Sequence, residues 1–207
     1  MSSSWRVRTE IVLSSLLVGV MTSFVAAHVP MPPKKGELGR QEVQTAVPDF
    51  TLIDQDQNRF RFSNTRGKLV LVTFIFTTCP DVCPLFSAKF ATIQRQLQEK
   101  KRDDYVLLSI TTDPERDTPA ALKGYAQQYK ADFGHWWFLT GSREELTRVW
   151  KTFGVNVRKS TNGQIQHTAL TTLIDTRGTR RVNYWGDKWL ETEVLRDLSS
   201  LDSRSRR

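Results

Sequence analysis

A nearly unbroken run of apolar residues, Leu69 to Phe76, limits the fold of this chain more than any other feature of its sequence. A strand with one face in water alternates apolar and polar side chains, but this run contains only Thr73 as a polar residue. Such a run is typical of a strand that lies inside a sheet covered on both faces. The sequence therefore predicts an α/β fold in which helices flank a central sheet.

The segments around this run follow one another in an order that narrows the fold further. Upstream, 47–52 and 59–62 are predicted to form a hairpin. Downstream, the predicted order is a helix from Cys79, a strand (105–110), a helix from Thr118, a strand (136–139), a helix capped by Ser142, an antiparallel pair (168–175 and 181–185) and a helix (188–201). The first of these helices has an apolar stripe that comprises Leu85, Phe86, Phe90, Ile93 and Leu97. This order is typical of a thioredoxin-like fold with a central mixed sheet flanked by helices.

The N-terminal region predicts export. Arg6 and Arg8 precede an apolar stretch, 11–27, which is close to the length of about 20 residues that spans a bilayer. We assign 1–28 as a signal-anchor or a signal peptide, with small residues at 25–27 suited to a signal peptidase. The first alternative places a single-pass protein in the inner membrane with its domain on the periplasmic side. The second gives a soluble periplasmic protein.

The remaining boundaries follow from composition. Prolines and polar residues over 29–46 predict a linker, 47–201 is the predicted domain, and 202–207 is a basic tail. The net charge of +8 is spread over short basic runs without interleaved aromatic residues. Nucleic-acid binding is therefore not expected, and the charge indicates a solvated surface beside lipid.

The chemistry is predicted at Cys79 and Cys83, the only two cysteines of the chain. They lie four residues apart where the buried strand is followed by a helix, and a helix N-terminus favours thiolate. Three interpretations remain open: thiol–disulfide exchange, binding of a soft metal ion such as Cu(I), and inert core cysteines. A structural zinc site is disfavoured because zinc takes four ligands and no other cysteine is present.

A third ligand would have to come from a distant part of the chain. Of three histidines, His28 lies at the leader boundary and His135 precedes a predicted strand. His167 begins the predicted strand 168–174, and in a thioredoxin-like fold the loop before that strand faces the cysteine helix. Exchange enzymes of the thioredoxin fold carry a proline in that last position, and 155–175 contains none. This pattern favours metal binding by Cys79, Cys83 and His167 over disulfide exchange.

Three motifs resemble the Sco/SenC family of copper-binding cytochrome c oxidase assembly proteins. They are Phe76-Thr-Thr-Cys-Pro-Asp-Val-Cys-Pro84, Ser109-Ile-Thr-Thr-Asp-Pro-Glu-Arg-Asp-Thr-Pro119, and His167-Thr168 before Leu173-Ile-Asp175. The resemblance implies a metallochaperone, rather than an enzyme, that holds one Cu(I) or Cu(II) ion through Cys79, Cys83 and His167. It further implies delivery of the copper to the copper subunit of a respiratory oxidase, and some members also reduce the cysteines of that subunit.

Two departures from the family pattern leave other functions open. Gln166 replaces the acidic residue that often precedes the histidine, and 76–78 differs from the usual lead into the cysteines. The recipient can therefore be another copper enzyme, or the chain can act as a thiol–disulfide oxidoreductase or a copper or redox sensor. A peroxidase is disfavoured because no Pro-x-x-x-Thr-x-x-Cys motif surrounds Cys79. The Asp113–Asp117 stretch is interpreted as a turn before a capped helix, outside the site.

Overall fold

The apolar run after Lys68 forms the central strand of the domain. The structure is a computed structural model that describes residues 39–205. Its central sheet has six strands in the order β1-β10-β9-β4-β5-β6. Their bounds are β1 Gly39–Ala46, β4 Leu69–Ile75, β5 Tyr105–Thr111, β6 Trp136–Leu139, β9 Leu170–Ile174 and β10 Thr179–Trp185. β5 runs parallel to β4 and β6, whereas β9 is antiparallel to β4, so the sheet is mixed, as predicted.

Two small hairpins lie outside this sheet. β2 (Thr51–Ile53) pairs with β3 (Arg59–Arg61), which confirms the predicted upstream hairpin. A short 3-10 turn, Phe62–Thr65, connects β3 to the central strand. β7 (Val157–Lys159) pairs with β8 (Ile165–His167) just before β9. This second hairpin was not among the predicted elements.

The central strand is buried because each of its faces packs against a different core. Leu69, Leu71 and Ile75 join one apolar cluster, which contains the apolar faces of α1 (Val82–Glu99), α2 (Pro119–Gln128) and α4 (Glu191–Ser205). Val70 and Phe74 point to the opposite cluster, which includes residues of α3 (Arg143–Phe153) and of the β2–β3 hairpin. The structure thus confirms an α/β fold with a sheet covered on both sides.

The helix starts follow from local capping. Thr118 accepts a hydrogen bond from the backbone N–H of Ala121, and Pro119 occupies the first helical position of α2. Ser142 and Glu145 form a reciprocal capping box at α3. Helix α3 ends at Gly154, whose φ of 73° is a left-handed conformation that glycine adopts without strain.

The predicted linker differs from the structure at its C-terminal end. Gly39–Ala46 is not a linker but edge strand β1, which pairs with β10 from Gly39↔Trp185 to Ala46↔Thr179. Six of the eight residues of this edge strand are exposed and none is buried, so it shows no apolar alternation and its polar composition resembled a linker. Polar contacts stabilise it instead: the Arg40 Nε donates to Asp197 at 2.7 Å.

Two smaller predictions also need correction. The tail predicted from residue 202 begins inside α4, because that helix continues to Ser205. Leu85, assigned to the buried stripe of α1, is 41% exposed, whereas Phe86 beside it is fully buried. The predicted leader (1–28) and the first part of the linker lie outside the described residues. Within 39–205 there is no helix with the length and apolarity needed to cross a membrane.

Candidate metal centre

The two cysteines lie at the C-terminal end of the central strand, but only one of them is in a helix. Helix α1 begins at Val82, so Cys83 is in its first turn and Cys79 lies in the preceding loop. The backbone N–H of Cys79 donates to the carbonyl of Phe76 at 3.2 Å, which closes a turn. Asp81, whose φ of −125° and ψ of −100° are not helical, stands immediately before the first helical residue. The predicted helix start at Cys79 is therefore wrong.

The loop nevertheless brings the two thiols into contact. Both cysteines are free thiols; Cys83 is fully buried and Cys79 is 6% exposed. The Cys79 sulfur lies within hydrogen-bonding reach of the Cys83 thiol and of the backbone N–H groups of Asp81 and Cys83. These donors lower the pKa of Cys79 to about 7. Burial, together with the neighbouring Cys79 sulfur, raises the pKa of Cys83 well above its ordinary value.

His167 reaches this pair from the far end of the chain. It is the last residue of β8, its side chain is buried, and its Nε2 lies 3.9 Å from the Cys83 Sγ. Its Nδ1 lies 3.0 Å from the carbonyl oxygen of Thr168. A carbonyl can only accept, so Nδ1 carries the proton of this hydrogen bond. The ring therefore presents its unprotonated Nε2 to Cys83, the arrangement in which a histidine binds a metal ion.

The donor set can be compared with what a soft metal ion requires. Zinc bond lengths, about 2.3 Å to sulfur and about 2.0 Å to nitrogen, would place two ligands of one ion about 3.5–3.8 Å apart. The distance of 3.9 Å between Cys83 Sγ and His167 Nε2 is close to that range. Two sulfurs and one imidazole are donors that suit copper.

The three side chains do not yet form a closed site. Among residues 39–205, no group of three or more His, Cys, Asp and Glu side chains is close enough together to hold a metal ion without movement. The structure thus brings Cys79 into contact with Cys83, and Cys83 close to His167. Their assignment as metal ligands stays a prediction.

A buried carboxylate, Asp117, holds the start of the cysteine loop through hydrogen bonds. Asp117 is fully buried and accepts hydrogen bonds from the backbone N–H and the hydroxyl of Thr77 and from the hydroxyl of Thr111. Burial raises the pKa of Asp117. Because Thr77 precedes Cys79 by two residues, Asp117 fixes the entry to the loop. Asp117 belongs to the 113–117 stretch that was predicted to lie outside the site; its burial, which places it under the loop, is not visible in the sequence.

His135 belongs to a different part of the domain. It precedes β6, its Nδ1 is 3.1 Å from Asp132, and its ring stacks on Tyr105 with centroids 4.7 Å apart. These contacts give His135 a structural role, in line with its prediction as a residue at a strand start. His28 lies outside the described residues.

The domain has a mixed sheet flanked by helices, one thiol in the loop after the central strand, a second in the first turn of the next helix, and a histidine close to the second thiol. This arrangement defines a thioredoxin-like thiol protein. Comparison with known proteins then gives its family. The chain belongs to the SCO1/SenC family, whose model matches residues 39–201. The family prediction made from the sequence is thereby confirmed.

Three relatives show the extent of the similarity. An SCO2-like protein of Rickettsia prowazekii is 33% identical over 186 residues, covering 86% of this chain and 89% of the relative. The copper-bound structure of Bradyrhizobium japonicum ScoI is 30% identical with a TM-score of 0.65, covering 76% of this chain and 99% of that one. BsSco, described with a disulfide switch and as a member of the Sco family of cytochrome c oxidase assembly proteins, is 29% identical with a TM-score of 0.69, covering 79% and 96%.

Proposed function

We propose that this chain is a copper metallochaperone. It binds one copper ion through Cys79, Cys83 and His167 and delivers it to the copper centre of a respiratory oxidase. The observation that carries the proposal is the approach of His167 Nε2 to within 3.9 Å of Cys83 Sγ, with the ring proton on the other nitrogen. Copper bound to a relative of the same family supports the choice of metal.

The two thiols have different roles in binding copper, because their pKa values are shifted in opposite directions. With a pKa of about 7, Cys79 is about half thiolate at neutral pH and can bind the incoming ion first. Cys83 holds its proton until the ion is present, so binding of copper releases protons. Cys79 is also the more exposed of the two sulfurs, which places it where a thiol of the recipient would meet the ion.

A transfer assay tests this function. The protein is loaded with one equivalent of Cu(I) and mixed with the reduced, copper-free copper domain of an oxidase subunit, and copper in each protein is measured after separation. We expect copper to move to the oxidase domain from wild-type protein, whereas His167→Ala should hold less than one equivalent before mixing. A wild-type protein that keeps its copper in the presence of excess recipient would refute delivery.

The contact between the two thiols favours one second function, a thiol–disulfide reductase acting on the recipient. Here Cys79 and Cys83 would be oxidised to a disulfide, and their two electrons and two protons would reduce a disulfide of the recipient to two thiols. The thiol contact and the lowered pKa of Cys79 support this alternative, as does the disulfide switch described for BsSco. The discriminating measurement is metal-free reduction of the oxidised oxidase domain, which should survive in His167→Ala if reduction is the main task.

We also propose that the domain works on the periplasmic face of the inner membrane, held there by the leader at 1–28. The support is the sequence of that leader, with positive charges before its apolar stretch. Extraction of membranes at alkaline pH separates the two alternatives: an anchored protein stays with the membrane, and a cleaved one is released.

A further inference from the structure

The turn between β5 and α2, residues 112–118, contacts both the cysteine loop and the hairpin that carries His167. Its inner side holds the cysteine loop: Asp117 accepts from Thr77, and the backbone N–H of Thr112 donates to the carbonyl of Ile75 at 2.7 Å. Asp113, also fully buried, forms an ion pair with Arg116. This side of the turn is therefore fixed to the end of the central strand.

The outer side of the same turn contacts the β7–β8 hairpin, which carries His167. The carboxylate of Glu115 pairs with Lys159 of β7 and, at 2.7 Å, with Arg143 of α3. The guanidinium of Arg116 donates to the carbonyl of Gly163 in the hairpin turn at 3.1 Å. Two consecutive residues thus hold the hairpin from one side.

One strand of the hairpin is anchored in the core: Ile165 of β8 is buried in the apolar cluster around α1, whereas the last two residues of β7 are exposed. The hairpin consists of two strands of three residues and forms a separate sheet outside the central one. A two-stranded hairpin is at best marginally stable by itself. At its base, the backbone N–H of Thr168 donates to the carbonyl of Asn156 and closes the two ends of the hairpin on each other. Its distal part is held by the contacts of Glu115 and Arg116.

We propose that Glu115 and Arg116 are positioning residues for His167. Through Lys159 and Gly163 they fix the hairpin to the turn that also holds the cysteine loop, and so they set the separation of the imidazole from the sulfurs. The consequence for copper rests on the proposed function; the mechanical link between turn and hairpin does not.

The expected effects are moderate. The side chains of Glu115 and Lys159 are 51% and 43% exposed, and exposed ion pairs contribute little individually. Removing the pair should therefore raise the opening rate of the hairpin roughly two- to fivefold. The difference should disappear near 1 M salt, where the screening length falls to about 3 Å.

Amide hydrogen exchange of 157–167 in the reduced, copper-free, full-length protein tests the link. Glu115→Gln and Lys159→Gln should each speed exchange, and the double variant should add nothing to the larger single effect. Lys159→Arg, which keeps the charge, should restore wild-type exchange. The matched control is Glu144→Gln, which removes another exposed ion pair, with Arg148, within helix α3. Unchanged exchange in both single variants, or fully additive effects, would overturn the proposal.

Cu(I) affinity, measured by competition with a chromophoric chelator, tests the consequence for the site. Glu115→Gln should weaken binding by a factor similar to its effect on exchange, and 1 M salt should remove the difference. If the wild-type protein binds no copper while exchange responds as expected, the proposed function fails and the positioning link stands. If copper binds normally and exchange does not respond, the positioning proposal alone fails.

Discussion

Replacing Asp117 by asparagine should destabilise the domain measurably, because the change removes one hydrogen bond at a fully buried carboxylate. The asparagine oxygen can still accept from Thr77. Its amide group, however, faces the hydroxyl of Thr111, which in the wild-type protein donates to Asp117. Hydrogen bonds to charged groups are each worth about 1.5–3 kcal/mol. Removing a buried charge offsets part of this loss, so we expect the free energy of unfolding to fall by about 2 kcal/mol at pH 7.

Urea denaturation of the reduced, copper-free protein measures this change, and its pH dependence has a definite sign. Burial raises the pKa of Asp117, so in the window between the unfolded-state pKa, about 3.9, and the folded-state pKa the folded protein binds the extra proton. The stability that this group contributes is complete below the unfolded pKa and declines as pH rises through the folded pKa. The gap between wild type and Asp117→Asn should thus be larger at pH 4 than at pH 7.

The control is Asp103→Asn at an exposed site, which should change the free energy of unfolding by less than about 0.5 kcal/mol. A gap for Asp117→Asn that is no larger than that of the control, or one that widens as pH rises from 4 to 7, would refute the reasoning.

Three further changes test other parts of the structure. Alkylation of Cys79 by iodoacetamide should reach half its maximal rate near pH 7, and Cys83→Ala should move this midpoint towards about 8.5 because the donor to the Cys79 sulfur is lost; an unmoved midpoint contradicts the thiol contact. Phe86→Ala should lower the free energy of unfolding in urea by about 3–5 kcal/mol, whereas Leu85→Ala on the exposed side of the helix should cost less than about 1 kcal/mol, and equal costs would argue against the helix orientation. Ser142→Ala removes the capping box of α3 and should lower the thermal midpoint by an amount equivalent to about 1 kcal/mol; an unchanged midpoint would show that the cap is not stabilising.

Those parts of the fold that depend on local pattern could be predicted from the sequence. The central strand and the caps at Thr118 and Ser142 are confirmed. They were predictable because burial on both faces requires apolar residues, and the unpaired N–H groups at a helix start favour residues such as Ser and Thr. Strand β1 was missed because six of its eight residues are exposed and most are polar, so it shows no apolar alternation. The β7–β8 hairpin was missed because strands of three residues are too short to show a period.

The candidate site was likewise predictable from the sequence only in part. The cysteine spacing indicated thiol chemistry, and the strand order of a thioredoxin-like fold placed His167 opposite. The conformation of the cysteine loop was not predictable from the spacing, because a separation of four residues fits both one continuous helix and a loop followed by a helix that begins at Val82. The burial of Asp117 could not be read either, since aspartate in a turn motif is usually exposed and only tertiary packing covers it.

X-ray absorption at the copper edge tests most directly whether Cys79, Cys83 and His167 bind the same ion. Protein loaded with one equivalent of Cu(I) should show two sulfur neighbours and one imidazole nitrogen. In His167→Ala the imidazole signal should disappear while the two sulfurs remain. An imidazole signal that persists in His167→Ala, or a wild-type spectrum with fewer than two sulfurs, would contradict the three-ligand site.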